Sequence, residues 1–276
     1  MSNDGSFRKR WWLYLLLTVA LLVVITPFVW MVLGGFKTSS ELRQVPPTWW
    51  PENPTLDNFT SLFSRLSFGT YFFNSTVVAV VVTTANLLFC SMVGYALAML
   101  NFRGKKIIFG LILATLMIPG VVTFVPLFVL VANLGLVNTL PGLFLPFLVA
   151  PFGVFLMRQF ISGLPRDLVE AARIDGAGEL RIFAQVILPL LTPALATLGI
   201  LTFLGSWNNF LWPLVVAQSN DTYTLPVALA LYSTGQNQTE YGLLLAGATV
   251  VVTPVLIVFL IFQRRFIQGI ATTGIK

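Results

Sequence analysis

The sequence predicts an all-α integral membrane protein with six transmembrane helices and a charged cytoplasmic loop between the fourth and the fifth. Three observations carry this prediction. The 276 residues are 57% hydrophobic with a mean hydropathy of +0.87, well above what a soluble domain shows. Apolar runs of about 20 residues, the length that crosses a bilayer, recur along the chain. Of the 16 lysines and arginines, 13 lie in alternate connecting segments.

The six predicted spans contain no Asp, Glu, Lys or Arg. They cover residues of about 12–34, 71–100, 107–131, 140–157, 187–217 and 241–262. The first run follows a basic start, as in a signal peptide, but it is too long for a signal core and lacks an A-x-A cleavage site. No stretch between the runs is long enough to bury an independent core, so we expect a single transmembrane domain over residues 1–276.

The distribution of basic residues predicts the orientation of the spans. If the N-terminus is cytoplasmic, 13 basic residues lie in the cytoplasmic segments and only Lys37, Arg43 and Arg65 lie outside. Lys and Arg are strongly enriched in cytoplasmic loops. We therefore expect both termini in the cytoplasm, and the net charge of +6 follows from topology rather than from binding to nucleic acid.

The composition excludes several kinds of chemistry. Cys90 is the only cysteine, so an intrachain disulfide or a cysteine metal cluster cannot form. Because it lies in an apolar run, we expect Cys90 to be a small buried packing residue. The chain has no histidine, the commonest general base and metal ligand. The sequence therefore predicts no catalytic and no metal-binding residues.

Residues 158–186, which we call the charged loop, hold eight of the chain's 26 charged residues (16 basic, 10 acidic). We expect two short helices joined by a turn. Pro165 suits a first helical position, and Asp167 suits the first turn, where the helix dipole favours an acid. Gly176 ends this helix because glycine adopts a positive φ without strain. The second helix starts at Glu179 and leads into the fifth span.

The first of these helices carries the features of a docking surface. Ala171 and Ala172 are small enough for another surface to approach closely, and Glu170 and Arg173 offer charged partners. The alternative is a solvated loop that only follows the positive-inside pattern. That alternative accounts for the arginines of the loop but not for its four interspersed acids.

The spacing within the charged loop resembles the EAA loop of ABC importer permeases. Glu170-Ala171-Ala172 is followed after three residues by Gly176, and after nine more by Val186-x-Leu188-Pro189. The motif departs from the family's pattern only in Val186, where Ile is usual. Further stretches are similar to the carbohydrate branch, in particular to the inner permease subunit of maltose-type transporters: MIPGVVTFVPLF (117–128), LGLVNT (134–139), SWNNFLWPLVV (206–216) and the terminal QGIATTGIK.

The resemblance implies a non-catalytic subunit that imports a sugar across a bacterial or archaeal cell membrane. Its partners would be a second permease subunit, two ATPase subunits, an extracytoplasmic sugar-binding protein and the lipid bilayer, with no nucleic acid. The chain has no G-x-x-x-x-G-K-[ST] phosphate loop, so ATP and Mg would be bound by the ATPase subunits and this chain would carry no cofactor. The residues that the resemblance implies for ATPase coupling are Glu170, Ala171, Ala172, Arg173, Asp175, Gly176 and Ala177.

A secondary, ion-coupled transporter is the alternative. Proton-coupled carriers need ionisable groups within the membrane, and none of the predicted spans has one. Sodium coupling through main-chain carbonyls meets no such objection. We found no convincing inverted repeat between the two halves of the chain.

Polar residues in otherwise apolar spans are the candidates for a sugar pathway. The fifth span contains Ser206, Trp207, Asn208 and Asn209 in sequence, and amides at membrane depth require a partner or a water-filled cavity. Weaker candidates of the same kind are Asn86 and Thr83 in the second span. The alternative role of these residues is interhelical hydrogen bonding without contact to a substrate.

Overall fold

The computed structural model describes residues 11–65, 67–233 and 240–273, and every regular element in this part of the chain is helical. Among the described residues, four helices are long and apolar enough to cross a membrane, and the number rises to six if each of two bent helix pairs is one span. The all-α prediction is therefore confirmed. The chain divides into two compact units, one of residues 1–68 with 229–253 and the other of residues 69–228 with 254–276.

The smaller unit begins with helix α1, Trp11–Gly35, which confirms the first predicted span. A 3₁₀ turn, Glu41–Arg43, and helix α2, Asp57–Arg65, follow. A Cβ on Gly35 would lie 3.2 Å from the Cα of Ala246. The end of α1 therefore packs closely, main chain against main chain, on the helix that contains Ala246.

The connection after α1 contains a buried ion pair that the sequence did not reveal. Lys37 and Glu41 are 1% and 4% exposed, with 3.8 Å between Nζ and Oε1. The Thr48 hydroxyl donates to the Glu41 carboxylate over 2.7 Å and accepts from Lys37 over 3.0 Å. The Lys37 ammonium also lies 4.7 Å from the centroid of the Trp30 ring. A lysine predicted only to mark an outer segment is thus an internal part of that segment.

The larger unit begins with one continuous helical rod, Phe68–Met99, which confirms the second span. It consists of helix α3, Phe68–Ala85, a π-helical segment, Asn86–Cys90, and helix α4, Ser91–Met99. Cys90 is fully buried, as expected.

The third predicted span, 107–131, is not a single helix. Helices α5, Lys105–Leu116, and α6, Gly120–Asn133, meet at an angle of 103°. Pro119 explains the break, because it has no N–H and it disfavours the helical conformation at the residue before it. Pro119 itself is extended, with φ −59° and ψ 132°. The prediction of a single helix over this span was wrong for this reason, although the two helices together are long and apolar enough for one broken span or a re-entrant loop.

The fourth predicted span, 140–157, is also broken. Helix α7, Leu140–Phe144, and a 3₁₀ turn, Leu145–Phe147, precede helix α8, Pro151–Ser162, and the two parts are bent by 40°. Ala150 is extended because Pro151 follows it. The helix α8 continues to Ser162, so the first residues of the charged loop extend this helix.

The fifth predicted span, 187–217, is confirmed over Thr192–Val216, with an interruption before Pro213. In a continuous helix the Pro213 ring would clash with the Asn209 carbonyl, four residues earlier, and residues 208–210 are not helical.

The remaining helices are α9, Asp167–Ile174; α10, Glu179–Ile182, continued by a π-helical segment, Phe183–Ile187; α11, Leu188–Leu190; α12, Thr192–Trp207; α13, Leu211–Val216; α14, Leu225–Ser233; and α15, Tyr241–Thr273.

The main apolar core of the larger unit joins α4, α8 and the helices of the charged loop. Tyr95, Met157, Val169 and Ile182, one from each of α4, α8, α9 and α10, are all buried in this core. A Cβ on Gly94 would come within 2.9 Å of the Arg158 nitrogen, so α4 and α8 pack very closely. The charged loop therefore lies on a firm apolar base rather than free in solvent.

Candidate functional site

The charged loop contains the predicted pair of short helices. Helix α9 begins at Asp167, so the prediction of Pro165 as the first helical residue was wrong by two residues. The Arg166 carbonyl accepts the first hydrogen bonds, from the nitrogens of Val169 and Glu170 over 2.9 and 3.1 Å. Asp167 remains in the first turn, where its charge complements the helix dipole.

The turn after α9 is built around Gly176, as the sequence predicted. Gly176 has φ +79° and donates to the Arg173 carbonyl over 3.0 Å, while Ala177 donates to Ala172 over 3.0 Å. This pair of hydrogen bonds is the Schellman arrangement, which requires a left-handed residue at the glycine position. Asp175 is exposed at the end of the helix, and Ala177 packs partly against the core.

The two faces of α9 differ in exposure. Val169 is 2% exposed and Ala172 packs against the core, so these residues hold the helix to its base. The opposite face is open to solvent. Its exposed residues, together with one residue of α10, are Glu170, Ala171, Ile174 and Leu180. An acid, a small side chain and two apolar side chains, 86% and 73% exposed at Ile174 and Leu180, form a surface with the character of a protein contact.

Arg173 does not point to an external partner in this structure. Its Nε donates to Oε1 of Glu179 over 2.7 Å. The phenol of Tyr95 donates to the other carboxylate oxygen, Oε2, over 2.6 Å. One carboxylate therefore joins α9, α10 and α4. The charge of Arg173, one of the predicted coupling residues, is therefore paired with a described residue of the same chain.

These hydrogen bonds set the charge of the pair. The hydrogen bond from Arg173 holds the pKa of the Glu179 carboxyl below its ordinary value, and that from Tyr95 lowers this pKa further, against the opposing effect of partial burial. The same hydrogen bond with Glu179 raises the pKa of Arg173. Both groups are therefore ionised at neutral pH, and the stabilisation from Glu179 is lost only as the pH falls through its lowered pKa.

Three of the predicted pathway residues line one cavity of about 260 Å³. Asn86 contributes from the π-helical segment, Ser206 from the last turn of α12 and Asn209 from the break after it. The rest of the wall is mostly aliphatic and aromatic. A cavity with few polar groups on apolar walls has the character of a small-molecule site.

Asn86, however, is occupied by main-chain groups. Its Nδ2 donates to the carbonyls of Val82 and Phe147 over 2.9 and 2.7 Å, and its Oδ1 accepts from the Ala150 nitrogen over 2.9 Å and from the Cys90 thiol over 3.3 Å. The residue is fully buried. Asn86 therefore satisfies the main chain at the break before α8, which agrees with the alternative role of interhelical bonding.

The other candidate residues of the fifth span have different surroundings. Trp207 is 2% exposed and stacks on Phe203 with 5.7 Å between ring centroids. Asn208 is exposed and ends helix α12, and it does not line the cavity. The Asn209 Oδ1 accepts a hydrogen bond from the main-chain nitrogen of Trp212 over 3.4 Å. The expectation that both amides lie within a helix was wrong, because the helix breaks where they stand.

Thr83 lines a different cavity, of about 370 Å³, between α3, α12 and α15. Its Oγ1 is buried and has no hydrogen-bond partner in the described part of the chain. Within that part, no group of His, Cys, Asp or Glu residues has the arrangement of a metal site.

Two residues with clear structural roles were not predicted from the sequence. Tyr95 stands in an apolar run with no local signal that it reaches Glu179, 84 residues further along. Asn138 is the one non-glycine residue with positive φ in the described chain, at 59°. Its Oδ1 accepts from Gln218, Ser219 and Thr222, which fixes the loop after α13. The tolerance of Asn for left-handed conformations is a signal that was available for this residue.

Comparison with known proteins decides the family. The family described as "binding-protein-dependent transport system inner membrane component" matches residues 90–272. The chain belongs to this family. Among similar proteins, this inner membrane component is 43% identical over 279 residues to the arabinooligosaccharides transport system permease protein AraQ of Halalkalibacterium halodurans, with 100% of both chains covered.

A second relative of this inner membrane component is the diacetylchitobiose uptake system permease protein NgcG of Streptomyces coelicolor. It is 37% identical over 276 residues, covering 99% of this chain and 90% of that protein. Among solved structures, a chain of a bacterial ABC transporter involved in the import of the acidic polysaccharide alginate matches with a TM-score of 0.84. It is 24% identical and the match covers 96% of this chain and 98% of the other. This last likeness confirms the fold.

Proposed function

We propose that this chain is the permease subunit of an ATP-driven ABC importer for an oligosaccharide or a related sugar. The observation that carries the proposal is full-length similarity to sugar permeases, at 43% identity over all of both chains for the arabinooligosaccharide system. The diacetylchitobiose permease adds a second sugar relative of nearly equal coverage. An ion-coupled secondary transporter is set aside, because the chain belongs to a binding-protein-dependent family.

The complex would contain a second permease, two ATPase subunits and an extracytoplasmic sugar-binding protein. ATP and Mg would be held by the ATPase subunits. The lack of a phosphate loop in this chain supports that division of labour. Both termini and the charged loop would face the cytoplasm, in accordance with the distribution of basic residues.

The charged loop would dock on an ATPase subunit through its exposed face. Glu170 and Ala171 are four and three residues before the exposed Ile174 on the same helix, so their side chains are neighbours, and Leu180 at the start of the next helix is exposed as well. A partner would thus bury apolar area near one acid. The base of α9 is fixed by Val169. A force on the outer face would therefore move the loop as a body. A partner shifts the permease between states only through unequal contacts with them, and this loop would supply those contacts.

The cavity lined by Ser206 and Asn209 would supply this subunit's share of the sugar pathway. Its volume of about 260 Å³ is small for a site that encloses a whole ligand, which typically has about 300–1,000 Å³. A second permease would complete the enclosure. Apolar walls with a hydroxyl and an amide suit a sugar, which presents apolar ring faces and hydroxyl groups.

The decisive experiment uses the reconstituted complex in proteoliposomes. Uptake and ATP hydrolysis would be measured with arabinooligosaccharides, diacetylchitobiose and lactose, in the wild type and in Glu170→Lys. Reversal of a charge in a buried contact leaves its partner uncompensated and typically costs about 3–5 kcal/mol. We expect Glu170→Lys to insert normally but to lose uptake, with the ATPase subunits detached or no longer stimulated by the binding protein.

The matched control is Glu52→Lys, which reverses an exposed acid of the outer segment and should still co-purify with the ATPase subunits. Normal coupled uptake in Glu170→Lys would exclude the charged loop as the ATPase contact. Uptake of none of the sugars by an assembled wild-type complex would contradict the substrate class.

A further inference from the structure

The carboxylate of Glu179 accepts hydrogen bonds from two side chains, one in the charged loop and one in the long helical rod Phe68–Met99. Tyr95 in α4 donates to it over 2.6 Å, and Arg173 at the end of α9 donates over 2.7 Å. Glu179 itself is the first residue of α10. The two donors use different oxygens, so both bonds form at the same time.

The surroundings of the three residues are unequal. Tyr95 is 4% exposed and its ring packs on Phe183, with 5.6 Å between centroids. The side chains of Arg173 and Glu179 are 41% and 43% exposed. An ion pair of such exposure contributes little by itself. The buried Tyr95 side chain has little freedom to move, so its hydrogen bond fixes the position of the Glu179 carboxylate relative to α4.

We infer that Tyr95, Glu179 and Arg173 form the joint through which a movement of the charged loop reaches the second span. This inference rests on the proposed coupling function of the loop. A partner bound to the outer face of α9 would displace this helix. The displacement would reach Glu179 through its hydrogen bond with Arg173, and Tyr95 through its hydrogen bond with Glu179. These are positioning residues, since none of them contacts ATP or sugar.

The rod gives this joint a route to the cavity. Tyr95 lies nine residues after Asn86, about 14 Å along a helix at 1.5 Å per residue. Asn86 lines the cavity and binds the main chain at Phe147 and Ala150. A small shift of Tyr95 along the rod axis would therefore reach the cavity wall and the break before α8 together.

A purely structural role is the competing explanation, and stimulated hydrolysis separates the two. The joint would be tested in the whole complex in proteoliposomes with Tyr95→Phe, which removes one hydroxyl, and with Glu179→Gln. The readouts are subunit assembly, basal ATP hydrolysis, hydrolysis stimulated by the binding protein, and uptake per ATP. The binding protein would be loaded with the sugar of the panel above that gives wild-type uptake.

We expect both variants to assemble and to keep basal hydrolysis. Stimulation and uptake per ATP should fall about tenfold, the order expected for a hydrogen bond to a charged group. The double variant should be no worse than either single one, because both break the same connection. The matched controls are Tyr241→Phe, at an exposed tyrosine, and Glu52→Gln, at an exposed acid; both should behave as wild type.

Normal stimulation and normal uptake per ATP in Tyr95→Phe would overturn the inference. Losses in proportion to reduced assembly would overturn it as well, since they indicate a structural role alone. If Tyr95→Phe does not fold, the test uses Glu179→Gln and Arg173→Gln instead, because these two side chains are partly exposed and their replacement disturbs packing less. Glu170→Lys distinguishes failure of this inference from failure of the proposed function. If only the inference fails, Glu170→Lys still loses coupling; if the proposed function fails, Glu170→Lys couples normally in the same assay.

Discussion

Replacement of Asn86 by leucine should destabilise the permease, because this amide satisfies the main chain where α7 and α8 are interrupted. Leucine has a similar size but no polar atoms. The variant leaves the Phe147 carbonyl and the Ala150 nitrogen without the partners that now lie 2.7 and 2.9 Å away. Both groups lie in the residues that connect the Leu145–Phe147 turn to α8, so a regular helical bond cannot replace what is lost.

The size of the effect follows from these two groups. Each unsatisfied buried main-chain group costs about 1–3 kcal/mol, hence about 2–6 kcal/mol together. Burial of the leucine side chain returns little of this, because lipid and detergent tails are about as apolar as the protein interior. Interhelical hydrogen bonds in membranes average only about 0.6 kcal/mol, because the unfolded chain also finds partners for its side chains. Here the folded state itself holds the orphaned groups, so we expect a net loss of about 2–6 kcal/mol.

The assay is equilibrium unfolding in mixed micelles, with Thr83→Val as the matched control. Thr83 stands on the same helical rod, and its buried hydroxyl has no partner among the described residues. Its replacement by an apolar isostere should be neutral or slightly stabilising. A stability of Asn86→Leu within about 0.5 kcal/mol of wild type, the usual range of surface substitutions, would refute the role of Asn86 as a main-chain staple.

Two further predictions concern the pathway and the topology. Asn209→Ala should weaken sugar uptake or change its selectivity in the reconstituted complex while basal ATP hydrolysis is retained, whereas Asn208→Ala, outside the cavity, should not; equal behaviour of the two would assign the sugar contacts to the partner permease. In a background without Cys90, an impermeant thiol reagent should label Glu52→Cys from outside and Gly178→Cys only from inside, and outside labelling of Gly178→Cys would invert the orientation.

The sequence predicted those features that depend on local physics. The long apolar rod Phe68–Met99 and the left-handed turn at Gly176 were both confirmed. The breaks at Pro119, Pro151 and Pro213 were also within reach of local rules, since each proline disturbs the residues before it. A prediction based on hydropathy alone passes over them, because a broken span is as apolar as a straight one.

The contacts that were missed depend on tertiary structure. The bond between Tyr95 and Glu179 joins residues 84 positions apart, and no pattern along the chain encodes that distance. The burial of Lys37 likewise follows from the fold of its segment around Thr48. The prediction of cytoplasmic termini and of the sidedness of the loops stands on charge alone, and residue 236, which this topology places on the outer side of the membrane, is not among the described residues.

Three asparagines of this chain share a role that changes how polar residues in its spans are to be interpreted. Asn86 binds the main chain before α8, Asn138 binds the loop after α13, and Asn209 binds the start of α13. Each side chain bonds main-chain groups beside a helix end, because such a site leaves main-chain groups without helical partners. An amide in a span of this chain therefore serves the main chain first. Contact with sugar is a second demand on the same side chain, which only Asn209, at the cavity wall beside Ser206, is placed to meet.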